Sequence, residues 1–207
     1  SQVAECACGT GNLTIPLSHF YGMTGVDLSE DMLQIAIPKA RAQGRNIRFV
    51  RQDMRKLTLH KPVDALLCTC DGFNYLMTSA QAHSFLSSAW AALKPGGVLA
   101  LDLSTPYKLQ QVLGNNTITR VEDDLVCLWQ NEWEAPRQRV HMQLDIFVQA
   151  GDSYQRIVET QSQQAHTQEE LTQYLARAGF EEITRYGDLE RDIHSKDQRM
   201  HLFARKP

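Results

Sequence analysis

This sequence lacks most features that mark a specialised class of chain. It has no basic excess: 21 Lys and Arg stand against 24 Asp and Glu in 207 residues, a formal net charge of −3. The basic residues are scattered, with no run longer than Arg205-Lys206. A dedicated nucleic-acid binder carries a basic surplus or stripe, so no nucleic-acid partner is expected. Long apolar runs are missing too. Segments such as 65–68 and 98–101 fall far short of the roughly 20 residues that a membrane-spanning helix needs, so no membrane partner is expected either. No basic-then-apolar leader opens the chain, and the compartment to expect is cytoplasmic. Cysteine is sparse and odd in number: Cys6, Cys8, Cys68, Cys70 and Cys127. That count does not suit a disulfide scaffold. The two C-x-C pairs lack the spacing usual in structural zinc sites, and residues two apart share one face of any strand. Buried reduced thiols are the better account, and no metal site is expected. Repeats, linkers and low-complexity tracts are absent as well, which leaves one domain over residues 1–207.

What is present is an alternation. Residues 3–8 form a short apolar run stopped by Gly9-Thr10-Gly11, a buried strand feeding a tight turn. Residues 12–20 read as helix and 23–26 as a second strand ending at Asp27. A helix over 30–42 is capped by Ser29 and stopped by Gly44. Pro38 inside it should kink or shorten it. Residues 47–50 and 63–70 supply strands three and four. Ala82, Phe85, Leu86, Ala89 and Leu93 recur at helical spacing, and Pro95-Gly96-Gly97 turns the chain into a fifth strand over 98–103. Such alternation predicts an α/β fold, a parallel sheet covered on both faces.

From about residue 117 the period becomes two. Val140, Met142, Leu144, Ile146 and Val148 alternate with mostly polar neighbours, the pattern of an antiparallel strand with one wet face. A hairpin turn falls at residues 150–153, with neighbouring strands over 125–134 and 153–164. Thr167 and Glu170 form a capping box for a helix to about Ala178, stopped by Gly179. Strands over 180–186 and 200–204 close the chain. The antiparallel stretch, about 117–165, is an insertion within the domain.

The chemistry concentrates at strand ends. Gly9-Thr10-Gly11 lies between a strand and a helix, where glycine lets backbone approach a ligand. Asp27 follows Gly11 by sixteen residues and ends the second strand, where an acid accepts from ribose hydroxyls. Asp53 and Asp71 follow the third and fourth strands. Ligands of open parallel sheets bind outside these carboxyl ends. A nicotinamide site wants a third small residue after the glycines, but Thr14 stands there, and Glu5 is out of place beside a pyrophosphate.

Residues 5–11 (ECACGTG), Asp27, Asp53-Met54 and the turn at 93–97 (LKPGG) resemble the motifs of class I S-adenosylmethionine-dependent methyltransferases. Residues 71–76 (DGFNYL), 102–109 (DLSTPYKL) and the antiparallel excursion narrow the resemblance to bacterial small-molecule enzymes similar in layout to glycine N-methyltransferases and amino-sugar N,N-dimethyltransferases. The resemblance covers nearly the whole chain. It implies a Rossmann-like sheet of seven strands in the order 3-2-1-4-5-7-6, the last antiparallel. It implies S-adenosylmethionine as cofactor and a small-molecule acceptor, methylated at an amine or hydroxyl by in-line displacement, in a monomer or homodimer. Members usually carry a few dozen helical residues before the glycine loop; this chain begins inside the first strand, so that N-terminal cap is expected to be missing. Two other functions stand beside this one, a nonenzymatic cofactor-binding module and a nicotinamide oxidoreductase. A nucleic-acid methyltransferase ranks below them: residues 70–73 lack the prolines usual in the amino-methylating enzymes.

On this reading Gly9, Gly11 and Ala7 form the cofactor loop, Glu5 orders it and reads the methionine amino group, and Asp27 takes the ribose. Asp53 accepts from the adenine amine. Met54, Leu28 and Met32 line the adenosine pocket, although plain core packing serves Met54 and Met32 about as well. Cys70 sits at the methyl-donor end, where Cys8 would flank the same cleft. Asp71, Asn74, Tyr75, Trp129, Trp133 and His166 are candidates for the acceptor side. Leu125, Cys127, Trp129, Asn131 and Trp133 share one strand face, either as an acceptor pocket or as packing of the small sheet. His166 and Glu159 are candidate bases with structural alternatives, no catalytic residue is assigned, and His83 is read as solvated surface.

Overall fold

The computed structural model describes residues 1–188 and 193–207. The first half alternates β1 (Gln2–Cys6), α1 (Thr14–Leu17), β2 (Gly22–Asp27), α2 (Glu30–Ala42), β3 (Arg48–Arg51), β4 (Val63–Cys68), α3 (Ser79–Ala92) and β5 (Leu93–Ser104). An antiparallel sheet follows in strict sequence, from β6 (Thr117–Val121) through β7 (Leu125–Glu134) and β8 (Arg139–Ala150) to β9 (Ser153–Gln164). Then come α4 (Gln168–Arg177), β10 (Glu181–Tyr186) and β11 (Arg199–Arg205).

The main sheet runs β3-β2-β1-β4-β5-β11-β10, with β11 antiparallel to both neighbours. Counted within this sheet alone, that is the expected order 3-2-1-4-5-7-6. From β1 the chain winds outward to β3, then returns to β4 and winds the other way. Right-handed crossovers therefore put the helices of the two halves on opposite faces. The reversal leaves a crevice between the ends of β1 and β4. Ala4, Cys6, Leu66, Cys68, Leu99 and Leu101 are essentially inaccessible, and Phe73, Phe85 and Leu86 fill the same core.

Local signals formed largely as read. The Ser29 hydroxyl accepts from Met32 N, and the Thr167–Glu170 capping box is reciprocal. Gly151 turns the two-residue hairpin between β8 and β9 at φ 63°. Three elements differ. Helix α1 is a single turn, far shorter than residues 12–20. Strand β4 stops at Cys68, because Cys70 and Asp71 turn left-handed. Pro38 does not shorten α2, which continues to Ala42. Gln34 and Pro38 are both exposed, so the carbonyl that lacks its N–H partner faces solvent. The Lys-Pro-Gly-Gly turn is a bulge carried inside β5, between partners Val63 and Ala65.

The chain's far end locks the centre. Lys206 is buried, and its Nζ donates to the carbonyls of Trp90 at 2.8 Å and Leu93 at 2.7 Å while lying 3.8 Å over the Trp90 ring. A cation here satisfies carbonyls that the end of α3 leaves free. Lys206→Ala should cost about 2 kcal/mol, the loss of charge-assisted bonds, and lower the thermal midpoint by roughly 4–8 °C. A melting curve that superimposes on wild type would contradict this.

Candidate active site

A cavity of about 660 Å³ opens where β1, β2, β3 and β4 end. Ala7, Gly9, Asp27, Leu28, Met32, Asp53, Met54 and Cys70 all line it. Two expected members do not. Gly11 lies behind the loop, at φ 75°, where a Cβ would come within 3.2–3.3 Å of Ile15 and Phe49. Glu5 is beneath it, buried, accepting from the hydroxyls of Thr14 and Thr69. Burial raises its pKa against those hydrogen bonds. Glu5 therefore ties β1 to the start of α1 and the end of β4. Gly9 differs from Gly11: its φ is 52° and a Cβ there would meet nothing within 4 Å, so its backbone borders open space.

Asp27 holds the loop in place. One carboxylate oxygen accepts from Gly9 N at 2.7 Å and the other from Ser29 N at 2.8 Å. Each oxygen keeps further lone pairs for a ligand. Asp53 caps a 3₁₀ turn (Met54–Lys56) and is gripped by the Arg55 guanidinium at 2.5–2.9 Å. The hydrogen bonds from Arg55 hold its pKa below the usual carboxylate value. Leu28 is 61% exposed and Met32 39%, and both line the cavity.

The loop backbone is strained beside the cavity. Ala7, Cys70 and Asp71 are non-glycine residues at φ 54°, 51° and 67°. Each such conformation costs on the order of 1–3 kcal/mol and persists only when its surroundings impose it. Asp102 does so for the last two: its carboxylate accepts from Cys70 N at 3.0 Å and its carbonyl from Asp71 N at 3.2 Å.

A second cavity of about 200 Å³ lies between the two sheets. Asp71, Tyr75 and Trp129 line it, with Ser104, Lys108, Met142, Leu144, Gln161 and Gln163 from the surrounding elements. Cys70, Tyr75 and Gln161 line both cavities, and the Tyr75 hydroxyl donates to Gln161 Oε1. Burial raises the Tyr75 pKa, so it stays a phenol. Lys108 opens an unusual π-helical turn (Lys108–Leu113), and such turns concentrate at functional sites.

Three acceptor-side candidates are elsewhere. Asn74 is fully buried and clamps backbone, donating to the carbonyls of Ser104 and Gln164 and accepting from Ser104 N. Trp133 packs with Leu109, Leu113 and Val140 and lines neither cavity. Trp129 shares that cluster but also borders the smaller cavity, so the packing account holds for both indoles and the pocket account for one. His166 is buried between the rings of Phe73 and Tyr174, bonded through Nε2 to the Leu76 carbonyl at 3.0 Å. Glu159 does line the larger cavity. Cys8 is buried and lines neither, and His83 is half-buried against Tyr174 rather than solvated. Among the described residues, no group of three or more His, Cys, Asp or Glu side chains could hold a metal.

The residues that sequence reasoning missed are Arg55, Gln161, Gln163, Lys108 and Arg199. Arg55 stands two positions from Asp53, and Lys108 falls in the stretch 102–109 already singled out. Arg199 reaches Asp71 and Asp102 from 128 and 97 positions away.

Comparison with known proteins agrees with this layout. Residues 3–97 match the family model described as a methyltransferase domain. A putative methyltransferase, YqeM of Bacillus subtilis, is 32% identical over 182 residues, covering 87% of this chain and 73% of its own. The crystal structure of an S-adenosylmethionine-dependent methyltransferase from Clostridium acetobutylicum superimposes with a TM-score of 0.93 at 30% identity, covering 99% of this chain and 83% of that one. Glycine/sarcosine N-methyltransferase of Aphanothece halophytica is 26% identical over 220 residues, 99% of this chain and 76% of that protein.

Burial pushes the His166 pKa down to about 4 from 6.5. Between those values the unfolded chain binds a proton that the native chain refuses. Stability from this group is complete above about pH 6.5 and is lost as pH falls toward 4. Wild type should lose about 2 kcal/mol more than His166→Gln between pH 7.5 and 5 in urea titrations. Parallel losses would show that His166 is not buried neutral.

Proposed function

The chain belongs to the S-adenosylmethionine-dependent methyltransferases, and on that footing we propose that it methylates an amine or hydroxyl of a small acceptor seated in the smaller cavity, with the cofactor in the larger one. The observation that carries this reading is the shared wall. Among the described residues, Cys70, Tyr75 and Gln161 border both spaces, and there a methyl group would pass from one to the other.

The larger cavity suits the cofactor. Gly9 offers backbone with open space in front of it, Asp27 lines the cavity with lone pairs to spare, and Leu28, Met32 and Met54 give apolar walls. Asp27 would accept from the ribose hydroxyls and Asp53 from the adenine amine, steadied by Arg55. When bound, S-adenosylmethionine supplies an electrophilic methyl on a sulfonium that is already a good leaving group.

Little covalent work then falls to the protein, and alignment lowers the barrier, by several kcal/mol where geometry is good. Cys70 and Asp71 set the backbone at the donor end. Tyr75, kept protonated and donating to Gln161, offers its oxygen lone pairs to the N–H or O–H of the acceptor and orients it. Leu76 and Met77 help to exclude water from the cavity wall. An amine nucleophile fits the glycine/sarcosine relative. As the acceptor's lone pair forms the new bond to carbon, the electron pair of the broken carbon–sulfur bond would stay on sulfur and the acceptor's proton would pass to water at the open cavity; His166 has no part in this, lining neither cavity. The chain acts as one methyltransferase domain with the antiparallel sheet as an insertion, and its five free cysteines suit the cytoplasm.

Asp27→Ala should weaken S-adenosylhomocysteine binding by about 10–100-fold in calorimetry, as for lost hydrogen bonds to a charged group. Tyr75→Phe should lower turnover in a screen of amines, amino acids and amino sugars while holding cofactor affinity within about threefold. Trp133→Ala should lower stability and leave both unchanged. Joint loss of cofactor and acceptor binding in Tyr75→Phe would count against the two-cavity reading.

A further inference from the structure

We propose that Arg199, on β11, is a positioning residue that holds the left-handed Cys70–Asp71 turn in the shape the methyl-donor end requires. The proposal rests on reading the larger cavity as the cofactor site. Arg199 forks onto Asp102, with Nε at 3.0 Å from Oδ1 and a terminal nitrogen at 2.6 Å from Oδ2. Its other terminal nitrogen is 2.6 Å from Asp71 Oδ1 and 3.5 Å from the Ser104 hydroxyl, which itself donates to Asp71 at 2.9 Å. One guanidinium thus joins two half-buried carboxylates. Asp102 in turn holds the amide of Cys70, and its own carbonyl holds the amide of Asp71.

The chain of contacts is short and each link is needed. Two consecutive L-residues in the left-handed region relax unless restrained. Their restraint comes from Asp102, whose carboxylate would face that of Asp71 without an intervening cation. His201 Nδ1 lies 3.4 Å from Asp102, too far to take over the fork. Arg199 is itself anchored: its backbone pairs with Ser104 across β5 and its N–H donates to Asp188 at 2.6 Å. Lysine cannot replace the two-pronged grip on Asp102 while also reaching Asp71.

Cys70 reports on the turn directly, because it is exposed while Cys6, Cys8 and Cys68 are buried. In a Cys127→Ser background, the labelling rate of Cys70 by a chromogenic disulfide reagent should change severalfold in both Arg199→Met and Arg199→Lys. S-adenosylmethionine and S-adenosylhomocysteine should weaken together, by about tenfold, without rescue by lysine, while unfolding stays cooperative. Unchanged labelling and affinity in Arg199→Lys would overturn the proposal, and that variant decides the matter if Arg199→Met does not fold. So would tighter S-adenosylmethionine binding with S-adenosylhomocysteine unaffected, the signature of charge alone. If wild type binds neither compound, the cofactor reading fails, and Cys70 labelling still decides the role of Arg199.

Discussion

Where β1 and β4 end side by side, a Cβ at position 72 would come within 2.8 Å of the Ala7 Cβ and 2.9 Å of Cys68 Sγ. Glycine there lets the two loops close on each other. The rest of the site follows from that contact. Ala7 and Cys70 both turn left-handed as the loops leave the sheet, which aims backbone into the crevice at the point where strand order reverses. The Gly9 amide is then close enough to Asp27 to be held by it, and the Cys70 amide close enough to Asp102. Strain at one end of the cavity and a glycine cradle at the other are two results of the same close approach.

The site is rich in carboxylates, and the chain satisfies most of them itself. Glu5 has two hydroxyls, Asp53 has Arg55, and Asp71 and Asp102 share Arg199. Two acids share one guanidinium beneath the donor end. Asp27 differs from Asp53, Asp71 and Asp102: among the described residues its hydrogen-bond partners are two backbone amides rather than a guanidinium. Its remaining lone pairs stay available on the cavity side.

Much of this was legible in the sequence, for physical reasons. Strand-then-glycine and strand-then-acid are local signals, so residue order alone places Gly9, Asp27 and Asp53 at the sheet's carboxyl edge. The capping pair Thr167 and Glu170 is local as well. What could not be read depends on partners far apart in the chain. Asn74 and His166 are polar residues beside motif positions, and nothing local shows that each is committed to backbone carbonyls across the interface between sheets. Period two placed Trp129 and Trp133 on one face, but both pack into the apolar cluster and Trp129 alone of the two also reaches the smaller cavity, a difference set by residues of other elements. Arg199 is the extreme case, a residue of the last strand that acts on a loop more than a hundred positions earlier.

On this structure one compound would bridge the Gly9 cradle and the Cys70 turn. A crystal structure with S-adenosylhomocysteine would decide whether it does. The ribose hydroxyls should lie within hydrogen-bond distance of the Asp27 carboxylate, with the thioether sulfur at the wall formed by Cys70, Tyr75 and Gln161. Density for the compound in the cavity between the sheets, or a ribose bound away from Asp27, would contradict it.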